Sequence, residues 1–164
     1  MPAVSPRVLA FVAGGVMAAT SAVVATYEGY VPQAYKDVVG VTTACYGHTG
    51  SDVKMGQTYT KAECTKFLTE DLYEAAAAVE QCAKRPLTNN QKAATISLAY
   101  NIGGNAFCGS TLVKRLNAGE PAAQWCPEFK KWTYANGIQW KGLVKRRQEE
   151  FLLCLKPDTT LTVE

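Results

Sequence analysis

Charge is missing altogether from one stretch of this 164-residue chain and nearly cancels over the rest. Seventeen basic and fourteen acidic residues leave a net charge of +3, too weak a field to imply nucleic acid as a partner. Histidine is almost absent, His48 being the only one, and no two cysteines have C-x-x-C spacing, so a metal site is poorly supported and no cofactor is expected. No internal repeat is evident. Cysteine is missing from the first 44 residues, and charge is missing from residues 8–26. With 48% hydrophobic residues, the remainder is long enough to bury a core.

The six cysteines, Cys45, Cys64, Cys82, Cys108, Cys126 and Cys154, are spread over the body, and their even count favours disulfides and an oxidising compartment. Reduced cysteines buried in a cytosolic protein are the alternative. The uncharged run of 19 residues is close to the ~20 that a helix needs to cross a bilayer. Its Leu9, Phe11, Met17 and valines are diluted by alanine, Gly14, Gly15, Thr20, Ser21 and Thr26, which makes insertion marginal. Arg7 before the run and Glu28 after it predict an inside N-terminus and an exported body. The run reads as a segment that exports the chain and then lets go; a signal peptide cut near Ala25 and a permanent anchor are the rivals.

Residues 35–59 are rich in Val, Thr, Tyr and Gly and predict a small hairpin sheet. Thr60 and Glu63 form a capping box that opens a long amphipathic helix reaching about Lys84, before Arg85-Pro86. Thr88 and Gln91 form a second box, opening an apolar helix stopped by Gly103-Gly104. Further helices are expected over residues 111–118, 121–131 and 142–155. The fold class is α+β: a small hairpin lobe and a larger helical lobe joined by a long helix, with an N-terminal anchor helix. The boundaries are residues 1–26 for the anchor, 27–157 for the domain and 158–164 for a frayed tail.

A cleft between two lobes suits a substrate, and glycoside hydrolysis needs two carboxyl groups across one. Glu28 and Asp37 are candidates, with the Thr43 hydroxyl to hold water, although Glu-x8-Asp-x5-Thr is a weak pattern by itself. Its setting is more specific. Glu28-Gly29, Tyr35, Asp37, Gly40, Thr43 and Gly47-His48-Thr49 resemble the catalytic segment of the phage-type lysozymes, glycoside hydrolase family 24. The resemblance continues through Tyr100-Asn101-Ile102-Gly103, Phe107, Ser110-Thr111-Leu112 and Leu116-Asn117-Ala118-Gly119. It closes on Trp132, Gly142-Leu143-Val144 and Arg146-Arg147, covering about residues 27–156.

That resemblance implies a lysozyme-like fold with Glu28 as general acid, its pKa raised by a partly desolvated site, and Asp37 as the ionised base. Thr43 would place the water, and inversion would set the carboxyls roughly 6.5 to 9.5 Å apart. Asn101, Tyr35 and Arg146 are candidate substrate contacts, Asn101 equally able to cap its helix. Lys145-Arg146-Arg147 otherwise reads as a solvated helix face, with one arginine free to reach either Glu28 or the acidic peptides of the wall. His48 is expected to pair with Asp71 in a structural role, and Trp132 to lie in the core, with Trp140 as an alternative sugar platform. Six cysteines allow 15 pairings; Cys45–Cys64, Cys82–Cys108 and Cys126–Cys154 are the expected ones.

The weak leader in front of this body resembles the signal-anchor-release endolysins of lambdoid phages. The implied activity is an endolysin that hydrolyses the β-1,4 bond between N-acetylmuramic acid and N-acetylglucosamine in peptidoglycan. It would be held first at the inner membrane through residues 8–26 and then released to the periplasm, as a monomer with a functional link to a holin. A lytic transglycosylase using Glu28 alone and a membrane-tethered, inactive peptidoglycan-binding protein are the alternatives.

Overall fold

The computed structural model describes residues 3–159. The expected single leader helix is broken. Helix α1 (Pro6–Phe11) and helix α2 (Val16–Glu28) are separated at Gly14 and Gly15, which take left-handed φ angles of 70° and 85°. Only glycine adopts that conformation without steric cost, so the pair lets the chain turn where an alanine run would have continued straight. Val8, Val12, Val16, Thr20 and Val24 are all buried against the body, a four-residue repeat that persists across the break. Ala10, Ala13, Ala18 and Ala22 face outward. The hydroxyl of buried Thr20 donates to the Val16 carbonyl at 2.8 Å, so the leader brings its polar group already satisfied. Among the described residues no helix is long and apolar enough to cross a membrane.

Strands β1 (Val31–Lys36), β2 (Thr42–Cys45) and β3 (His48–Thr49) form an antiparallel sheet in that order. Its register places Tyr35 opposite Thr43 and Thr43 opposite Thr49. Helix α3 (Lys61–Cys82) begins at the Thr60 capping box, and helix α4 (Asn89–Ile102) at the Thr88 box. Every residue of α4 from Ala93 to Ala99 is buried, because α2, α3 and α8 (Lys141–Leu155) all pack on it. Gly103, at φ 87°, ends α4, and the short α5 (Gly104–Cys108) follows. Gly104 lets α5 approach α3: a Cβ there would come within 2.8 Å of Ala78.

Helix α6 (Thr111–Asn117) is capped by Ser110. Where one helix was expected over residues 121–131, α7 (Ala122–Trp125) gives way to a 3-10 turn (Cys126–Lys131). Pro127 is the cause, since it has no N–H to continue the α-helical ladder. A two-strand hairpin, β4 (Tyr134–Ala135) and β5 (Ile138–Gln139), turns through Asn136 and Gly137, both with positive φ. The disulfides are Cys45–Cys64 between sheet and α3, Cys82–Cys108 between α3 and α5, and Cys126–Cys154 between the 3-10 turn and α8. Asp158, placed by sequence in the frayed tail, instead accepts from the Asn89 and Asn90 N–H groups at 2.8 and 2.9 Å. A carboxylate is favourable at a helix N-terminus, which explains why the chain stays attached there. Residues 160–164 of the expected tail lie outside the described residues.

Candidate active site

Glu28 is the last residue of α2, and Gly29 (φ 71°) turns the chain from that helix into β1. The packing of α2 on the body therefore fixes where this carboxyl sits. The side chain is 19% exposed, and its Oε1 accepts from Arg146 Nη1 at 2.5 Å. Its Oε2 lies over Gly47, where a Cβ would stand only 3.3 Å away, so the β2–β3 turn needs glycine at that point. A cleft of about 600 Å3 opens here, lined by Glu28, Gly47 and Thr49 on one side, Asp71 and Glu74 of α3, and Tyr100 and Asn101 of α4. Tyr100 donates to the Tyr46 carbonyl at 2.6 Å, tying the cleft floor to the sheet. Burial, aided by the nearby charges of Glu28 and Asp71, pushes its phenol above the usual range.

Asp37 occupies the β1–β2 turn. Its Oδ1 accepts from the N–H groups of Val39 (3.0 Å) and Val41 (2.8 Å), an Asx arrangement that fixes the carboxylate plane. Its Oδ2 has no protein hydrogen bond among the described residues. Thr43 is buried and donates its hydroxyl proton to the Val41 carbonyl at 3.1 Å, which leaves the Oγ1 lone pairs as acceptors. Neither Asp37 nor Thr43 lines the cleft itself. Thr43 lies one strand from it, because its cross-strand neighbour Thr49 is on the lining and directly opposed residues share a face. Tyr35, the other neighbour of Thr43, is exposed.

Arg146 and Arg147 are not on a solvated face. They are 2% and 0% exposed, with Glu150 fully buried between them, and Arg146 turns to Glu28 rather than to solvent. Burial and pairing thus remove Arg146 from direct reach of a substrate. The sequence signal for the cluster is a glutamate at i+4 and i+3 from the two arginines, which charge-run reasoning overlooks. Burial pushes the Glu150 carboxyl up and the Arg147 guanidinium down, opposed in each case by the partner's charge. Asn101 accepts from Arg147 Nη1 at 3.0 Å. His48 Nδ1 is 2.8 Å from Asp71 Oδ2, and Nε2 is 3.2 Å from Asp52. Trp132 packs partly buried against the core, while Trp140 is exposed.

The phage lysozyme family model matches residues 25–150, from the end of α2 through Glu150. The chain belongs to the phage lysozyme family. It is 40% identical over 162 residues to the SAR-endolysin of Enterobacteria phage P21, covering 94% of this chain and 96% of that one. Among solved structures, the muramidase domain of SpmX from Asticaccaulis excentricus superposes with a TM-score of 0.77 at 31% identity, over 85% of this chain and 96% of that one. The endolysin of Escherichia coli O157:H7 phage FAHEc1 gives 0.74 at 30% identity, over 93% of each chain. The P21 and FAHEc1 matches cover more of the chain than the family model does.

Proposed function

We propose that this phage endolysin is a muramidase that cleaves the β-1,4 bond between N-acetylmuramic acid and N-acetylglucosamine, with Glu28 as general acid. The observation that carries the reading is the posture of Glu28. A guanidinium only donates, so Oε1, held by Arg146, accepts and the transferable proton belongs on Oε2, the oxygen over Gly47 beside the cleft. That proton goes to the glycosidic oxygen as the bond to the anomeric carbon breaks. A water donating to the free Oδ2 of Asp37 and to Thr43 Oγ1 would present its lone pair to that carbon, as an inverting mechanism requires. Asp37 thereby takes up a proton from that water, while the proton from Glu28 stays on the hydroxyl of the leaving sugar.

The names of the P21 and Mu phage relatives support export by a signal-anchor followed by release to the periplasm. The leader of this chain fits both situations. Thr20 and Thr26 donate to carbonyls of their own helix at 2.8 Å, bonds that serve equally in lipid and in the docked form. While residues 8–26 lie in a bilayer, Glu28 is held at its surface away from Arg146, and the site is incomplete. Action as a monomer beside a holin belongs to the same reading.

Two experiments test it. E28Q, assayed on purified peptidoglycan, should lose at least about a hundredfold in released reducing ends; turnover near the wild-type rate would reject Glu28 as the acid. A 1,6-anhydro product from the wild type would make the protein a lytic transglycosylase instead. For the leader, leucine at Ala10, Ala18 and Ala22 raises membrane affinity without touching the docked face. The triple variant should stay in the membrane fraction and leave the wall intact, and full lytic activity from that fraction would refute silencing by topology.

A further inference from the structure

Behind the cleft, a buried carboxylate connects two of the groups that face it. Glu150 has no exposed side-chain surface. Its Oε1 accepts from Ser97 Oγ at 2.6 Å, Arg147 Nη2 at 2.9 Å and Arg146 Nε at 3.2 Å, and its Oε2 lies 2.7 Å from Arg147 Nε. Each arginine then extends away from it. Arg146 reaches Glu28, and also the Ser97 carbonyl at 3.2 Å; Arg147 reaches Asn101. Glu28 and Asn101 both line the cleft, one from the leader and one from α4.

We propose that Glu150, which never meets the substrate, is a positioning residue that orients two cleft groups at once: the Glu28 carboxyl through Arg146 and the Asn101 amide through Arg147. The second arm rests on the same logic of donors. A guanidinium offers no acceptor, so the oxygen of the Asn101 amide is committed to Arg147 and the NH2 group is turned outward. No protein acceptor meets that NH2 among the described residues, and Asn101 is exposed. The cleft therefore presents a fixed N–H donor, suited to the carbonyl oxygen of an N-acetyl group or to a sugar oxygen. That assignment rests on the muramidase reading and adds a specificity contact to it.

Charge explains why one buried carboxylate has to serve both arms. Arg146 and Arg147 are balanced by Glu150 and an ionised Glu28, and when Glu28 carries its transferable proton Glu150 is the carboxylate left to face both guanidiniums. Without Glu150, two adjacent guanidiniums would share at most the one carboxylate of Glu28, and an unpaired buried charge is costly enough to rearrange its surroundings. Both arms would then move together.

The test is a split of kinetic constants on soluble glycan strands, with a second measurement that needs no turnover. N101D keeps an acceptor for Arg147 and loses the N–H; it should raise KM by about tenfold, the worth of one hydrogen bond, and lower kcat less. R147K, a point charge that cannot bridge Glu150 and Asn101, should do the same. R146K should lower kcat and shift the alkaline limb of the pH profile, where the general acid loses its proton, with the smaller change in KM. E150Q should change both constants. In parallel, the side-chain amide resonance of Asn101 should shift when an N-acetylglucosamine oligosaccharide is added, and R147K should abolish that shift. Folded E150Q with both constants within twofold of wild type overturns the proposal, as does a lower melting temperature with unaltered constants. If E150Q does not fold, unchanged KM in N101D and R147K overturns it. A wild type that releases no reducing ends rejects the muramidase reading, and the amide titration then decides this one by itself.

Discussion

Helices α2 and α4 lie against each other and are almost equal in length, yet they are held by different means. Helix α4 has a complete capping box and seven consecutive buried residues, so it is enclosed on all sides. Helix α2 has no side-chain cap at Gly15 and buries one stripe, Val16, Thr20 and Val24, while small residues face outward. An enclosed helix cannot leave without unmaking the core. A helix attached along one stripe can dock and undock as a unit, and this one carries the carboxyl that the cleft needs.

The sharpest way to break the comparison is to cut a hole of similar kind under each helix. Leu98→Ala, on α4, should cost about 3 kcal/mol and lower the melting transition of the whole body. Val24→Ala, on α2, should cost about 2 kcal/mol locally: faster proteolysis within the leader and weaker lysis, with the body's transition kept. If calorimetry shows the two variants lowering the same transition alike, α2 is an ordinary part of the core.

The next effect separates the regions by pH. Between Val8 and Thr26 the leader has no titratable side chain, whereas the body holds His48 against Asp71. The hydrogen bond that His48 donates to Asp71 raises the His48 pKa above its ordinary 6.5, burial opposing it. A raised pKa in the folded state means stabilisation that is complete below 6.5 and lost as pH climbs through the folded value. Asp71→Asn should therefore destabilise by about 2 kcal/mol in mildly acidic buffer, and the gap to wild type should narrow in alkaline buffer. A gap that is constant in melts from acid to alkaline pH would assign the pair no charge.

Smaller effects complete the series. Thr88→Ala removes the α4 cap and should cost about 1 kcal/mol in denaturant midpoint, a loss that α2 has no equivalent residue to suffer. Arg7→Ala deletes the ion pair of α1 with Glu80, 2.9 Å long but with the arginine 83% exposed. Its effect on leader protection should stay under about 0.5 kcal/mol, and a larger one would show α1 clamped by charge rather than by Val8 and Val12.

Much of the body was legible in the sequence because its signals are local. Two capping boxes set the starts of α3 and α4 within a residue, and the Val/Thr/Gly pattern of residues 35–59 marked the sheet. What escaped depends on partners far along the chain. The break at Gly14-Gly15 is hidden in a run whose apolar character suits a straight helix, and it is favourable only because a body is present to bury both halves. Arg146 and Arg147 look like solvated residues until Glu28, 118 positions earlier, arrives beside them. Glu28, Asp37 and Thr43 were marked by their setting, not by their spacing, and the separate position of the Asp37 turn from the main cleft had no sequence signal at all.

The three disulfides close loops with spans of 19, 26 and 28 residues, and none encloses or crosses another. Each cysteine is bonded to its nearest unpaired neighbour in order of appearance. A body delivered to an oxidising compartment in order from residue 27 onward, behind a leader whose own N-terminus stays inside, would present every correct partner before any competitor had emerged. Native crosslinks then follow from the order of delivery, with little call on an isomerase to correct them.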